Sequence, residues 1–214
     1  MRRALKISII SAVILLLAIL GVFCFFSPTD INSKIQNGDI IFQISKSSQS
    51  KAIQIATDCQ YSHMGIIYQK GDKTYVLEAV QPVKLTPLDK WIEQGENKHF
   101  VVKRIKNAKS ILTPAVQKEM EKIGKSFIGK KYDLQFNWSD ERMYCSELVW
   151  KIYKRAANVE IGKLETLKDF NLSHKAVKQK LTERYGDNIP MDEPVISPAA
   201  MFDSPELITI YTEE

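Results

Sequence analysis

The sequence of 214 residues has little of what marks several common protein classes. Three cysteines cannot build a disulfide framework for a chain of this length, and nine glycines with eight prolines exclude collagen-like and proline-rich disordered chains. The sequence has no glycine-rich phosphate loop, no G-x-S-x-G motif and no CxxC or HxxxH pair. We therefore expect about one globular domain, with neither a cofactor nor a metal site.

The charge distribution does not favour a nucleic-acid partner. The net charge is +5, but Arg2, Arg3 and Lys6 stand at the extreme N-terminus, and the rest of the chain has 27 basic and 25 acidic residues. The lysines alternate with acidic residues instead of forming a clustered basic face. The basic run at residues 118–131 has two interpretations, a contact with an anionic membrane or the solvated face of a helix, and the second is commoner.

An uncharged hydrophobic run occupies residues 7–26, directly after the basic N-terminus. Its length suits a membrane span, and the positive-inside rule then places the rest of the chain on the exported side. Bulky residues around Phe23 disfavour both signal cleavage and lipidation of Cys24. We interpret residues 1–26 as a retained transmembrane anchor. A cleaved signal segment, which gives a secreted protein, and a buried core helix are the alternatives.

Residues 31–214 show the pattern of one α+β domain with an antiparallel sheet. Apolar strands are predicted at 39–44, 63–68, 74–80, 100–105 and 207–211. A turn at residues 69–72 makes the second and third of these strands a hairpin. Helices are predicted after a cap at Ser47 or Ser48 and at 87–92, 113–128 and 143–157. Residues 162–193 give no assignment beyond a polar helix near Lys175.

Cys145 is the first candidate for chemistry, because it begins a predicted helix after an irregular polar loop. The unpaired amides and the dipole at a helix start favour the thiolate, which is the nucleophilic form of cysteine. The same amides point towards the position where an oxyanion forms. An isolated cysteine at a helix start is more often a small buried residue, so the functional interpretation depends on its partners.

His63 and Glu78 are the candidate partners, since they lie on the two strands of the predicted hairpin. Counting from the turn places them nearly opposite one another, and cross-strand Cβ atoms are about 5 Å apart. A carboxylate that holds Nδ1 fixes the tautomer and leaves Nε2 to accept the thiol proton. Alternatively, Glu78 faces solvent at a sheet edge and His63 is a structural histidine.

The remaining thiol and imidazole groups are weaker candidates. Cys59 precedes His63 at the end of a short predicted helix, where a small buried residue is the commoner role. His99 and His174 are expected at the surface. Cys145, His63 and Glu78 are also possible zinc ligands by type, but the absence of any closely spaced ligand pair argues against a metal.

Five motifs together resemble the YiiX-type branch of circularly permuted papain-like cysteine hydrolases, relatives of NlpC cell-wall peptidases and of lecithin retinol acyltransferase. The motifs are NGDIIF at 37–42, YSHMGI at 61–66, VLEA at 76–79, GKKYD at 129–133 and YCSELV at 144–149. Each motif is short, and their order is the specific feature: histidine, then glutamate, then cysteine, whereas ordinary papain-like enzymes have cysteine first.

The resemblance implies a permuted papain-like fold with Cys145 as nucleophile, His63 as general base and Glu78 as its orienting residue. It also implies that the Tyr132 hydroxyl helps to line the oxyanion site, although a core aromatic residue is an equal alternative. Non-permuted relatives have Asp-Cys-Ser-Gly at the nucleophile, where this chain has Tyr-Cys-Ser-Glu. Their preference for peptidoglycan stem peptides therefore does not transfer directly.

We thus expect an extracytoplasmic cysteine hydrolase or acyltransferase that cleaves amide or ester bonds. Its partner is expected to be an acylated small molecule, a lipid or a cell-wall peptide. A non-catalytic lipid- or wall-binding module that retains the fold is the alternative. A secreted structural or inhibitor protein is a third hypothesis, and it predicts that His63, Glu78 and Cys145 lie apart.

Overall fold

The computed structural model describes residues 29–213, with side chains described from residue 31. The anchor expected at residues 1–26 lies outside these residues. Within residues 29–213, every helix is too short or too polar to cross a membrane. Helix α1 (Thr29–Lys34) comes first, and the compact unit that contains the candidate site begins at Lys34.

Ten strands follow α1 within the described residues, and six of them form the main sheet. The strands are β1 (Ile40–Ser45), β2 (His63–Lys70), β3 (Lys73–Glu78), β4 (Lys84–Pro87), β5 (Gly95–Ile105), β6 (Lys131–Tyr132), β7 (Arg142–Met143), β8 (Glu165–Thr166), β9 (Pro194–Val195) and β10 (Leu207–Glu213). The main sheet has the order β10-β5-β1-β2-β3-β4, and all its neighbouring strands are antiparallel. The two-residue strands pair as β6-β7 and β8-β9.

Helices connect and cover these strands. They are α2 (Ser50–Thr57), α3 (Leu88–Gln94), α4 (Ala108–Ile111), α5 (Pro114–Phe127), α6 (Cys145–Ala157), α7 (Lys175–Tyr185) and α8 (Pro198–Phe202). The start of α5 has the predicted signature: Thr113 accepts a hydrogen bond from the amide of Val116, and Pro114 occupies the first helical position. The predicted α+β class with an antiparallel sheet is confirmed.

Helix α6 packs on the sheet through residues at helical spacing. Leu148, Val149 and Ile152 are fully buried, and they belong to one apolar cluster with Met64 of β2 and Leu77 of β3. Burying each such side chain contributes about 1.5–3 kcal/mol. The packing therefore fixes the start of α6 against the two strands that carry His63 and Glu78.

The NGD motif supplies a turn that locks the first strand. Gly38 has φ of +88°, and a Cβ there would lie 2.9 Å from Leu112 Cδ1, so the position requires glycine. Asp39, which follows it, is fully buried and accepts two hydrogen bonds of 2.7 Å from Arg104. The motif thus joins β1 to β5 beside the core.

Two features differ from the expectations. Strand β4 was not predicted, because its four residues are too few to show a period and a proline ends them. Strand β5 begins at Gly95 rather than at residue 100, so His99 lies within it. The His99 ring stacks on the Tyr61 ring, with the ring centroids 6.0 Å apart. His99 stays partly exposed in that strand, which agrees with the surface position expected for it. His174 is exposed as expected, and its Nδ1 caps α7 at Ala176.

Candidate active site

The structure brings the three predicted residues together. Cys145 is the first residue of α6, His63 is the first of β2 and Glu78 is the last of β3. His63 Nε2 lies 2.6 Å from Glu78 Oε2, and the Cys145 side chain is a hydrogen-bond partner of the same imidazole. The relative exposures are 3% for Cys145, 9% for His63 and 0% for Glu78, so the group is almost closed to water. The hypothesis in which these residues lie apart is wrong.

The hairpin holds His63 and Glu78 diagonally rather than directly opposite. The register pairs Ile66 with Leu77, which places Glu78 across from Gly65 and two residues along from His63. Diagonal neighbours on one face are about 7–8 Å apart, a distance that a glutamate and a histidine side chain can span together. The expected nitrogen was also wrong: Nε2 faces Glu78, which leaves Nδ1 for the thiol.

The environment of His63 favours the imidazolium form. Burial opposes the charge and by itself would lower the pKa. The hydrogen bonds to Cys145 and Glu78, together with the charges of both groups, outweigh it and raise the pKa of His63 from 6.5 to about 10. The imidazole is therefore protonated at neutral pH, which gives it a proton to donate.

Glu78 is a buried carboxylate whose two oxygens both have partners. Oε2 accepts from His63, and Oε1 accepts from the Thr86 hydroxyl at 2.5 Å. Burial would raise the pKa of Glu78, but the hydrogen bond and charge of His63 and the bond from Thr86 lower it below its ordinary value. Thr86 lies on β4, so the strand that the sequence did not predict carries part of the site.

Trp91 covers the other side of the imidazole. Its ring is fully buried in α3 and stacks on His63 with ring centroids 5.9 Å apart and an interplanar angle of 26°. An aromatic face attracts a cation, and the effect is stronger where water is excluded. Trp91 therefore both shields the imidazolium from solvent and stabilises its charge.

The chain around Cys145 is fixed by contacts with the C-terminal segment. The Ile196 amide donates to the Tyr144 hydroxyl at 3.1 Å, and the Ser146 hydroxyl donates to the Ile196 carbonyl at 2.7 Å. These bonds hold the residues on both sides of Cys145. Because the first-turn amides of a helix have no intrahelical acceptor, they remain available beside the thiol.

Tyr132 lies beside Cys145 and is held from the opposite side. Burial, followed by the charge of Cys145, raises the pKa of Tyr132 far above its ordinary value, so the phenol stays protonated. Its oxygen accepts a 2.8 Å hydrogen bond from Gln49 Nε2, and Gln49 Oε1 in turn accepts from Arg184. Because the Tyr132 oxygen is the acceptor in this bond, the Tyr132 hydroxyl does not donate its hydrogen to Gln49.

An apolar cavity of about 100 Å³ adjoins Cys145. Its walls come from α2, from the start of α6, from α7 with the residues before it, and from the segment around Ile196. Helices α2 and α7 form their own apolar contact through Ala52, Val177 and Leu181. Residues 162–193, which the sequence left unassigned, therefore supply one wall of the cleft.

Sequence reasoning missed Thr86, Trp91, Gln49 and Arg184. Each reaches the site through a contact between different secondary-structure elements, and none lies in a recognisable motif. Cys59, the second thiol considered, is partly buried, and burial raises its pKa. It lies outside the lining of the cavity beside Cys145.

The chain is similar to known proteins over most of its length. Residues 34–211 match the family described as permuted papain-like amidase enzyme, YaeF/YiiX, C92 family. The uncharacterized protein YiiX of Escherichia coli strain K12 is 51% identical over 178 residues, which are 83% of this chain and 87% of that protein. A crystal structure described as metalloprotein yiiX from Escherichia coli O157:H7 is 50% identical with a TM-score of 0.80, covering 84% of this chain and 98% of that one.

Proposed function

The chain belongs to the YaeF/YiiX family of permuted papain-like amidases, and from that premise we propose that it is a cysteine hydrolase acting through a thioester on Cys145. The observation that carries the proposal is the buried contact of 2.6 Å between His63 and Glu78 beside the Cys145 thiol. The proposed nucleophile Cys145 then neighbours the proton carrier His63, which in turn neighbours the orienting carboxylate of Glu78.

In the proposed reaction, the Cys145 thiolate attacks an amide or ester carbonyl. The first-turn amides of α6 and the Tyr132 hydroxyl stabilise the oxyanion. The His63 imidazolium gives its proton to the leaving amine or alcohol, which completes the thioester. His63, now neutral, takes a proton from water as the water attacks the thioester, and the acid is released with the thiolate restored. An amine in place of water gives acyl transfer by the same steps.

The cavity beside Cys145 favours an acylated substrate over a cell-wall peptide. Its lining is dominated by aliphatic and aromatic side chains such as Ile53, Leu172 and Val177, and the described part of the chain adds no aspartate or glutamate to it. An acyl chain gains from burial in such a cavity, whereas the charged groups of a peptide lose their hydration there. The fatty acyl part of the substrate is therefore assigned to this cavity.

The name of the crystal structure from strain O157:H7 raises the question of a metal in this chain. Within residues 29–213, no group of three histidine, cysteine, aspartate or glutamate side chains is placed to hold an ion. Cys145 and His63 offer two donors, and both oxygens of Glu78 are already hydrogen-bonded. Protein zinc sites use at least three protein ligands, so these residues do not fit a metal, and no step passes through one.

The hydrophobic run at residues 7–26 supports a location at the membrane, with the enzyme on the exported side. There the active site would meet acylated molecules that leave or occupy the membrane. Cleavage of the run would give the same enzyme in secreted form.

Labelling with a thiol-reactive acyl probe tests the proposed function. We expect Cys145→Ala to abolish both labelling and hydrolysis of an acyl amide, while Cys59→Ala, the matched control, keeps both. Undiminished labelling in Cys145→Ala would contradict the mechanism. Binding of the acyl amide without any turnover by wild type would instead indicate the non-catalytic binding module.

A further inference from the structure

The cleft beside Cys145 is apolar but not uniformly so, because two cations from α7 lie in its lining. These are Lys180 and Arg184, and no carboxylate from residues 31–213 lines the cavity to neutralise them. Lys180 is paired with Glu183 at 2.6 Å. Among the described residues, by contrast, Arg184 makes no ion pair with any carboxylate, so a positive charge remains at the edge of an otherwise apolar cavity.

The position of Arg184 relative to the reacting atoms is defined by a short chain of contacts. Its guanidinium donates to Gln49 Oε1, and Gln49 Nε2 donates to the Tyr132 hydroxyl at 2.8 Å. One side chain therefore separates Arg184 from Tyr132, which faces Cys145. The guanidinium also lies over the Phe136 ring, with Cζ 4.7 Å from the ring centroid, and this contact helps to hold it in place.

The contacts of Arg184 leave it able to bind an anion. A guanidinium carries five N–H donors, and among the described residues Arg184 donates one hydrogen bond, to Gln49. A planar guanidinium held in place matches a carboxylate or a phosphate through two parallel bonds. The apolar surroundings strengthen such an interaction, since they exclude competing water.

We propose that the substrate carries an anionic group, a carboxylate or a phosphate, a few atoms from the scissile carbonyl, and that Arg184 binds it. With the acyl chain in the apolar cavity, the substrate class is an anionic amphiphile of the N-acyl amino acid type. This inference rests on the proposed function for the position of the carbonyl at Cys145. It adds the chemical nature of the leaving amine or alcohol, which the apolar lining of the cavity does not indicate.

Binding measured without turnover tests the inference separately from the chemistry. The full chain carrying Cys145→Ala is titrated by calorimetry with N-octanoylglycine, with its neutral match N-octanoylglycinamide, and with N-octanoyl-aminoethyl phosphate. We expect N-octanoylglycine to bind about 10-fold to 100-fold more tightly than the glycinamide. Adding Arg184→Gln should remove that difference and leave glycinamide binding unchanged, while Lys180→Gln, the matched control on the same helix, should keep it.

The outcomes separate the possible roles of Arg184. Tighter binding of the phosphate than of the carboxylate supports the anion site and identifies a phosphorylated head group, and the opposite order identifies an amino acid. Equal binding of the charged and neutral ligands overturns the inference. So does an equal loss of both in Arg184→Gln, which would assign Arg184 to holding Gln49 and Tyr132. Selective binding of the anion by a wild type that never cleaves it would refute the hydrolase and leave this site standing.

Discussion

At the scale of single residues, the site depends on a charged imidazole that is buried. Removing an ion from water is costly unless partners compensate for the lost hydration. His63 has three such partners: the carboxylate of Glu78, the ring of Trp91 and the thiol of Cys145. Each raises the stability of the protonated form, so each influences the pH range over which His63 has a proton to donate.

The first residue-scale prediction concerns Glu78→Gln, which keeps the shape and one hydrogen-bond acceptor but removes the charge. Since Glu78 helps to raise the pKa of His63 to about 10, we expect the alkaline limb of kcat/KM to move to lower pH. We expect activity to fall roughly 100-fold, because proton transfer loses its orienting charge. The pH profile of acyl-amide hydrolysis measures both effects.

The same substitution has a consequence for stability. A histidine whose folded pKa lies above its unfolded value of 6.5 stabilises the fold fully below that pH and loses the contribution as pH rises towards about 10. Glu78→Gln should therefore destabilise the protein more at pH 6 than at pH 10. Glu96→Gln removes an exposed charge from the same sheet and serves as control. An alkaline limb of the kcat/KM profile that is unchanged in Glu78→Gln would contradict the effect of Glu78 on the pKa of His63.

What the sequence revealed at this scale was local. His63 and Glu78 lie on one predicted hairpin, and Cys145 begins a helix with clear periodicity, so their placement follows from short-range patterns. Thr86 and Trp91 could not be found in this way. Their contacts with Glu78 and His63 depend on how β4 and α3 pack beside the hairpin. The hydrophobic periodicity of a single segment does not indicate such packing.

At the scale of elements, α6 carries Cys145, the proposed nucleophile, and is anchored by a buried ion pair. Lys151 Nζ lies 2.7 Å from Glu147 Oε1 and 2.6 Å from the Ser139 carbonyl, and the Lys151 side chain is only 4% exposed. Burial raises the pKa of Glu147 to about 7 even with this lysine beside it. The pair ties the start of α6 to the polar loop that follows β6.

Lys151→Met tests this anchor, because it removes the cation and leaves the buried carboxylate. A carboxyl group whose folded pKa exceeds its unfolded value costs stability as pH rises, since the folded state must give up a proton that it binds more tightly. We expect a loss of about 3 kcal/mol at pH 8, and a smaller one at pH 5, where Glu147 is protonated. Urea unfolding at both pH values measures the difference.

Lys154→Met is the matched control on the same helix. Lys154 pairs with Glu160 at the surface, with side chains 36% and 58% exposed, and such pairs contribute below about 1 kcal/mol. Its effect should be small at both pH values. A loss in Lys151→Met that is equal at pH 5 and pH 8 would show that packing of the lysine stem, and not the charge of Glu147, explains its importance.

The helices and strands were predictable where their hydrophobic pattern continues over many residues. Helices α5 and α6 begin within two residues of their predicted starts, and the hairpin strands begin within one. Helix α7 was foreseen only as a polar helix near Lys175. Its buried residues, Val177 and Leu181, are too few to show an apolar stripe, and their partner Ala52 lies far away in the chain.

At the scale of the whole molecule, the cleft is assembled from segments that are remote in sequence. The Asn171 amide donates to the Ala56 carbonyl at 3.0 Å, so residues 162–193 are attached to α2 opposite Cys145. The walls of the cavity come from four such regions, α2, the start of α6, α7 with the residues before it and the segment around Ile196, and no single region reveals the cavity. This is why His63, Glu78 and Cys145 were predictable from the sequence and the cavity beside Cys145 was not.

The last prediction concerns where the molecule acts, and it depends on the run at residues 7–26. An uncharged run of this length gains enough from the hydrocarbon core to resist alkaline extraction, whereas peripheral binding through lysines does not. We expect the full chain to stay in the carbonate-washed membrane fraction, and a chain beginning at Thr29 to be extracted.

A reporter fused after Glu214 should be active only on the exported side, because Arg2, Arg3 and Lys6 keep the N-terminus inside. A mature protein shortened by about 26 residues would show cleavage and a secreted enzyme. Reporter activity on the inner side would refute the exported location and leave the reaction at Cys145 to be explained with substrates from within the cell.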